Sequence, residues 1–427
     1  MNETTPPRRT AALELALIYG AFILINVVFG QWQKQISLQD GKGWEGVGYY
    51  TVAWDFADGQ PLAAEGPYVY RLLTPWLVAK IAPEDLFRGF RIVNIAANAA
   101  GVLLLWLWFR RHIGSWKIRV LLVLLYLIEW DAPTRWIHFY PVHVDPILFV
   151  TLFAGLLLVE RERAKPDAVG LAGMCALMVV GVLNREVALL PALAWLFAEN
   201  PIRRTDSLAA ALKSLQFPSL RRWLPFVLGF ATFIAIKRSV QQIDEYSFAS
   251  TVVGFLYDKP LITYAHAWLL AFGPVIFILL FNWRRAAALL LARQDWLIYF
   301  AACAVLGYIG GTDTERLLYW SMPVTFVLLG KAIEDRAAEL ASIALTSVFV
   351  AGQVLSSRIL WTTPDYPHEY PHSFPILQQF GSNVPFMDLF SYHGYRMKTA
   401  LSLVQFVVFG IVVLVWMRRR RTVKGES

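Results

Sequence analysis

The sequence predicts an all-α fold, a polytopic transmembrane helical bundle of about twelve helices, and three observations carry that expectation. Of 427 residues, 57% are hydrophobic and only 16% charged, whereas a soluble globular chain carries about 25% charged residues. Mean hydropathy is +0.48, and apolar runs near membrane-spanning length recur from end to end. Lysines and arginines favour alternate loops between those runs. This pattern excludes a soluble multi-domain enzyme, a disordered chain and a fibrous repeat. The net charge of +8 is spread beside apolar runs rather than gathered in one basic patch, which argues against a nucleic-acid partner. Cys175 and Cys303 both lie inside apolar runs. Two such cysteines read as packing residues and build neither a disulfide framework nor a metal cluster.

The first apolar run, 12–30, follows Arg8 and Arg9 and is succeeded by Gln31-Trp32-Gln33-Lys34 without a small-residue cleavage site. It reads as a retained helix with a cytoplasmic N-terminus rather than a signal peptide. Further spans are expected at 89–109, 118–130, 142–159, 168–184, 187–198, 224–238, 262–282, 296–310, 319–332, 339–356 and 399–417. Some are shorter than the roughly 20 residues of a straight crossing. With this alternation, 24 of the 39 lysines and arginines fall on mostly short loops of one side. The positive-inside rule makes that side cytoplasmic, with both termini on it, in a multi-pass protein of the plasma (inner) membrane. Residues 1–427 thus read as a single transmembrane domain with two outer elaborations. The first, 31–88, contains no full-length span. Its segment Arg71-Leu72-Leu73-Thr74-Pro75-Trp76-Leu77-Val78-Ala79-Lys80-Ile81 is apolar, short and flanked by cations, as in an amphipathic helix lying in the interface plane. The second, 357–398, is rich in Pro, Tyr, His and Asp.

Five outer segments hold the candidate chemistry. The Gly-rich stretch 38–50 carries Asp40 and Glu45 ahead of Tyr49-Tyr50; its glycines permit backbone turns that would bring the carboxylates close to a ligand, although a plain solvated turn also accounts for it. Arg71, at the start of the in-plane segment beside Tyr68 and Tyr70, suits a lipid phosphate through its planar fork or a simple interfacial anchor. His138, His143 and Asp145 sit where a span starts, but their spacing matches no specific metal site, and Asp145-Pro146 is also a good helix-start pair. Asn184-Arg185-Glu186 lies between two apolar runs, at a depth where ionisable residues mark function unless Arg185 and Glu186 merely pair with each other. In Gly311-Thr312-Asp313-Thr314-Glu315-Arg316, a helix cap explains the carboxylates but leaves Arg316 unexplained.

These residues share one side of the membrane, and their pattern resembles the GT-C superfamily of membrane glycosyltransferases. Within it the chain is similar to bacterial members with an Asp-Gly…Tyr-Tyr motif followed by Tyr-x-Arg-x-Leu-x-Pro, here Asp40-Gly41, Tyr49-Tyr50 and Tyr70-Arg71-Leu72-Leu73-Thr74-Pro75. Asp145-Pro146, Arg185-Glu186 and Thr312–Arg316 extend the resemblance, which covers residues 1 to about 332. It implies a GT-C-like bundle and an inverting transferase that moves a sugar from a polyprenyl-phosphate donor to a glycan, lipid or protein acceptor at the outer face. Asp40 matches the catalytic base, although it stands about ten residues beyond the end of the first span, farther than in many members, which makes Glu45 its rival. Tyr49, Tyr50, Arg71, Asp145, Arg185, Glu186, Asp313, Glu315 and Arg316 are the expected substrate-binding set, with the arginines on the lipid phosphate. No metal ligands are assigned, and a divalent cation is left open as a cofactor. No Rossmann glycine fingerprint beside a predicted strand is present, as expected of a lipid-linked rather than a soluble nucleotide-sugar donor. A transporter or flippase of a lipid-linked or polar solute is the alternative, in which the same arginines steer a phosphate without bond change.

Overall fold

The computed structural model describes residues 8–199, 218–259, 261–311, 313–336, 343–357 and 359, with 407, 408 and 410–412 of the tail. It is mostly helical. In chain order the helices are α1 (Arg8–Trp32), α2 (Gly46–Asp58), α3 (Leu73–Ile81), α4 (Leu86–His112), α5 (Trp116–Ile128), α6 (Pro133–Phe139), α7 (Asp145–Ala164), α8 (Ala168–Asn184), α9 (Leu190–Leu196), α10 (Leu220–Ser239), α11 (Phe248–Asp258), α12 (Leu261–Phe272), α13 (Ile276–Phe281), α14 (Trp283–Ala292), α15 (Gln294–Ile309), α16 (Thr314–Tyr319), α17 (Met322–Asp335) and α18 (Ile343–Ser356). Two residues of β1 (Ala63–Ala64) pair in parallel with two of β2 (Gln241–Gln242).

The apolar runs read from sequence fall on helices, apart from 399–417, which lies almost entirely outside the described residues, as does most of the outer segment 357–398. The expected count of about twelve transmembrane helices is not reproduced: the described residues hold more helices than that, but most are too short to cross a membrane. Short helices α2, α6, α11 and α14 carry too few apolar residues in a row to register as spans. Among the described residues, three stretches are long and apolar enough to cross a membrane: Thr10–Trp32, Leu86–His112 and Tyr264–Phe281. The last is interrupted by a 3₁₀ turn at Gly273–Val275, and α14 meets α15 at a bend of 115°. The exposed side of α1 is apolar, with Ile23, Leu24 and Val27 at least half uncovered, a surface suited to lipid rather than to water. The protein is a membrane protein on these grounds.

Local signals set the helix ends. Asp85 and Asp167 cap α4 and α8 by accepting the amides of Arg88 at 3.0 Å and Gly170 at 2.6 Å. Arg110 and Arg111 in the last turn of α4 offset its negative end. Close crossings use small residues: a Cβ on Gly155 of α7 would lie 2.4 Å from Pro191 of α9. Trp108, Trp195 and Trp320 are among the largest fully enclosed or nearly enclosed side chains of the main core.

Polar contacts gather the loops at two poles. Segments of high arginine content meet at one: Arg163 pairs with Asp295 at 3.4 Å, Arg222 with Glu162 at 3.7 Å, Arg285 with Asp335 at 2.6 Å, and Glu334 accepts the Ser115 amide at 2.9 Å. The candidate functional segments converge at the other.

Candidate active site

Three backbone devices build the site. The turn before α2 places Gly41 and Gly43 at φ +87° and +71°, and Tyr140 packs where a Cβ of Gly43 would stand, at 2.2 Å. Gly46 then donates its amide to the Tyr140 hydroxyl, which fixes the neighbouring Glu45. Gly48 lies so close to Tyr68 that a Cβ would sit 2.6 Å from the Tyr68 Cβ. The second device is a lock between α3 and α8: Thr74 donates to Asn184 Oδ1 at 2.6 Å, the Asn184 amide donates to Val144 O at 2.9 Å, and Leu72 N–H donates to Leu183 O at 2.6 Å. It sets Arg71, Asp145 and Arg185 side by side. The third is Lys259, buried after α11, which donates to Gly307 O at 3.1 Å and Gly311 O at 2.7 Å. These carbonyls close α15 and start the loop to Asp313 and Arg316. Burial pulls the Lys259 ammonium down to about 8, against the opposing pull of Glu315 and Asp313.

The side chains form one connected ion network. Arg71 forks onto Glu186, Nε to Oε2 at 3.2 Å and Nη2 to Oε1 at 2.8 Å, and donates through Nη1 to the Tyr49 hydroxyl. The Glu45 carboxylate accepts from Arg316 Nη1 at 2.7 Å and lies 3.9 Å from Arg71 Nη1. Arg185 pairs with Asp145 and carries its guanidinium 5.1 Å from the centre of the Trp320 ring. Arg316 also pairs with Asp313 at 3.1 Å and comes within 4.0 Å of Asp145. Burial pushes the Glu45 carboxyl up, but Arg316, Arg185 and Arg71 prevail and hold it below its ordinary value. Glu186 is lowered in the same way, with Arg71 outweighing burial. Two enclosed donors, Arg185 Nε and Arg316 Nε, have no hydrogen-bond partner among the described residues, which marks the network as incompletely satisfied.

These groups line a cavity of about 470 Å³. Glu45, Arg71, Arg185, Glu186, Asp313 and Arg316 form its polar end, and Leu189, Leu190, Leu193, Leu306 and Leu317 form an apolar wall. Of the residues singled out in the sequence, Tyr49 supports this end from behind, and Asp145 joins it through Arg185 and Arg316. Asp40 does not line the cavity: it is exposed, at φ 56°, in the turn before α2. Tyr50 does not line it either; its ring lies 5.1 Å from that of Phe87. Glu315, in the first turn of α16, is also absent from the lining.

The simple structural alternatives fare differently. Arg185 and Glu186 do not pair with each other but with Asp145 and Arg71. Asp145 is the first residue of α7 and makes no cap bond, nor does Asp313 before α16. His138 bonds Asn26 at 3.1 Å, and His143 stacks on Tyr140 at 6.1 Å. No group of three metal-ligating side chains is assembled among the described residues. Lys259, Tyr246 and Trp320 were not legible as site residues, because the contacts that bring them in lie far away in sequence.

The chain matches no known family model and no curated protein sequence. It is similar to the apo-form crystal structure of an oligosaccharyltransferase from Archaeoglobus fulgidus, at 11% sequence identity and a TM-score of 0.49. That likeness covers 81% of this chain and 55% of the other, so the chain spans about half the length of its neighbour. The functional reading below rests on the site itself.

Gly48 gives a first test of this geometry. Gly48→Ala must displace Tyr68 or the start of α2, so a loss of about 1–3 kcal/mol is expected, typical of overpacking. A fall in the melting temperature of the detergent-solubilised protein checks it; an unchanged melt would mean the contact yields freely.

Proposed function

We propose that the protein is a glycosyltransferase that moves a sugar from a lipid-phosphate donor to an acceptor hydroxyl, at the pole opposite the arginine-rich loops. One observation supports this above the others: three guanidinium groups and the Glu45 carboxylate share a cavity with a leucine wall. A lipid phosphate matches both halves, its anion on the arginines and its chain along the leucines. In this reading Glu45, rather than Asp40, is the general base that takes the acceptor proton. The acceptor oxygen attacks the anomeric carbon with inversion, and Arg71, Arg185 and Arg316 stabilise the charge that grows on the departing phosphate. Arg316 leaves Glu45 for the phosphate as the donor binds, which raises the basicity of Glu45 when a base is needed. Asp145 and Glu186 hold Arg185 and Arg71 in place. The positive-inside pattern supports a cytoplasmic location for the arginine-rich pole and hence an external or periplasmic site.

The test is a defined polyprenyl-phosphate sugar incubated with purified protein in proteoliposomes, with a candidate acceptor. A new glycoside is expected; movement of the donor across the bilayer without bond change would assign a transporter instead. The pH profile gives a second check. Because the free-enzyme Glu45 is held below its ordinary value, it stays ionised through neutrality. Its contribution to kcat/KM should therefore hold from pH 7 down to about pH 5 and fall only below that. An acid limb centred near pH 6.5 would point to a different base.

A further inference from the structure

The cavity has a third kind of wall that neither the phosphate nor the lipid chain accounts for. Tyr68 comes to it from the turn before Arg71, and Tyr246, Phe248 and Thr251 come from the segment between α10 and α12. That segment is fastened to the first outer loop at several points. Its β2 strand pairs with β1, and Asp244 Oδ1 accepts the Gly66 amide at 2.8 Å. Gln242 accepts from the Tyr70 hydroxyl, and its amide donates to Asp244 O at 2.6 Å and Tyr246 O at 3.0 Å. The Tyr246 ring packs so closely on Gly66 that a Cβ there would stand 3.0 Å from its Cδ1. The aromatic wall is thus held in register with Arg71, one residue beyond Tyr70.

Phe248 is 54% exposed, and its neighbours Asp244, Glu245 and Ser247 are exposed and polar. A lipid chain belongs against the buried and half-buried leucines, not on an aromatic rim set among charges. A sugar ring has the opposite needs: apolar C–H faces that stack on aromatic rings and hydroxyl edges that want polar partners. We infer that Tyr68, Tyr246, Phe248 and Thr251 form the subsite for the sugar of the donor, so that sugar choice lies on the 241–251 segment while the arginines bind any lipid phosphate. The inference rests on the lipid-phosphate reading above and adds to it the residues that discriminate the sugar.

The experiment measures binding of polyprenyl phosphate, bare or carrying glucose, galactose, mannose or arabinose, to the purified full-length protein. Wild type should bind at least one sugar-bearing lipid more tightly than the bare lipid. Tyr246→Ala and Phe248→Ala should each reduce that preference about ten-fold, the scale of one stacked ring. Both should leave the dissociation constant of bare polyprenyl phosphate unchanged, and Tyr246→Phe should restore the preference. Equal weakening of bare and sugar-bearing lipid would make the wall merely structural and overturn the inference. An unchanged preference in both alanine variants, or a wild type indifferent to every sugar tested, would overturn it too. No binding of even the bare lipid would instead refute the lipid-phosphate reading itself.

Discussion

Glu45→Gln is expected to lower the rate of sugar transfer by about 10²–10⁴-fold, or roughly 3–5 kcal/mol of barrier, while donor binding changes little. The substitution preserves the shape of the side chain and its oxygen facing Arg316 at 2.7 Å, so the local fold should survive. It removes the basicity that an acceptor hydroxyl needs. Because the loss belongs to the transition state, kcat and kcat/KM should fall together. Asp40→Asn makes the informative contrast. Asp40 is exposed and away from the cavity, so its variant should transfer sugar at close to the wild-type rate. Should Asp40→Asn abolish transfer and Glu45→Gln spare it, the first outer loop must rearrange around the donor, and the family-like position would hold the base.

The difference between these two carboxylates shows where sequence reasoning stops. They stand five positions apart, and the Gly-rich motif suits either. What distinguishes them is long-range: Tyr140 receives the Gly46 amide from 94 residues away, and Arg316 reaches Glu45 across 271. The apolar runs were legible because helix burial leaves a continuous local signal, and the first arginine-rich loops showed themselves by charge alone. The pairing of arginines with carboxylates was not. Arg185 and Glu186 are adjacent and invite a mutual pair, but the 3₁₀ turn at Glu186–Leu189 sends them to Asp145 and Arg71. The aromatic wall was invisible for the same reason: Tyr246 gains its place from β2 and Gly66, neither of which has a pattern in its own neighbourhood.

The arginines also constrain how the site can work. Arg71, Arg185 and Arg316 face four carboxylates, Glu45, Asp145, Glu186 and Asp313, so the unliganded cluster already has one carboxylate more than it has guanidinium groups. On the proposed lipid-phosphate reading, an entering phosphate must then share guanidinium donors rather than fill a vacant positive hole. Asp313, with about half its side chain exposed, is the partner that gives way at least cost, since an exposed pair contributes little. On that reading the better covered pairs, Arg185 with Asp145 and Arg71 with Glu186, keep their geometry, leaving Arg316 as the arm that exchanges partners.

A different ion pair should dominate stability. Glu14 on α1 is completely buried, inside a stretch apolar enough to cross a membrane. It accepts from Arg119 of α5, Nη2 at 2.5 Å and Nε at 3.0 Å, and from Trp106 Nε1 of α4 at 2.8 Å. Arg119 spends its remaining donor on Ile113 O and Gly114 O, both at 2.8 Å. One carboxylate thus joins three helices in a site closed to solvent. Glu14→Leu should cost about 3–5 kcal/mol, because it leaves the Arg119 charge enclosed without a counter-ion. Arg119→Leu should cost a similar amount for the opposite reason. The double variant should regain a large part of that loss, since two apolar side chains need no pairing; the Trp106 N–H and the two carbonyls left without partners keep the recovery short of complete. Thermal unfolding in one detergent, run on all four proteins, measures the coupling. Losses that simply add in the double variant would show that Glu14 and Arg119 act separately, and that α1 is held to the bundle by its apolar contacts alone.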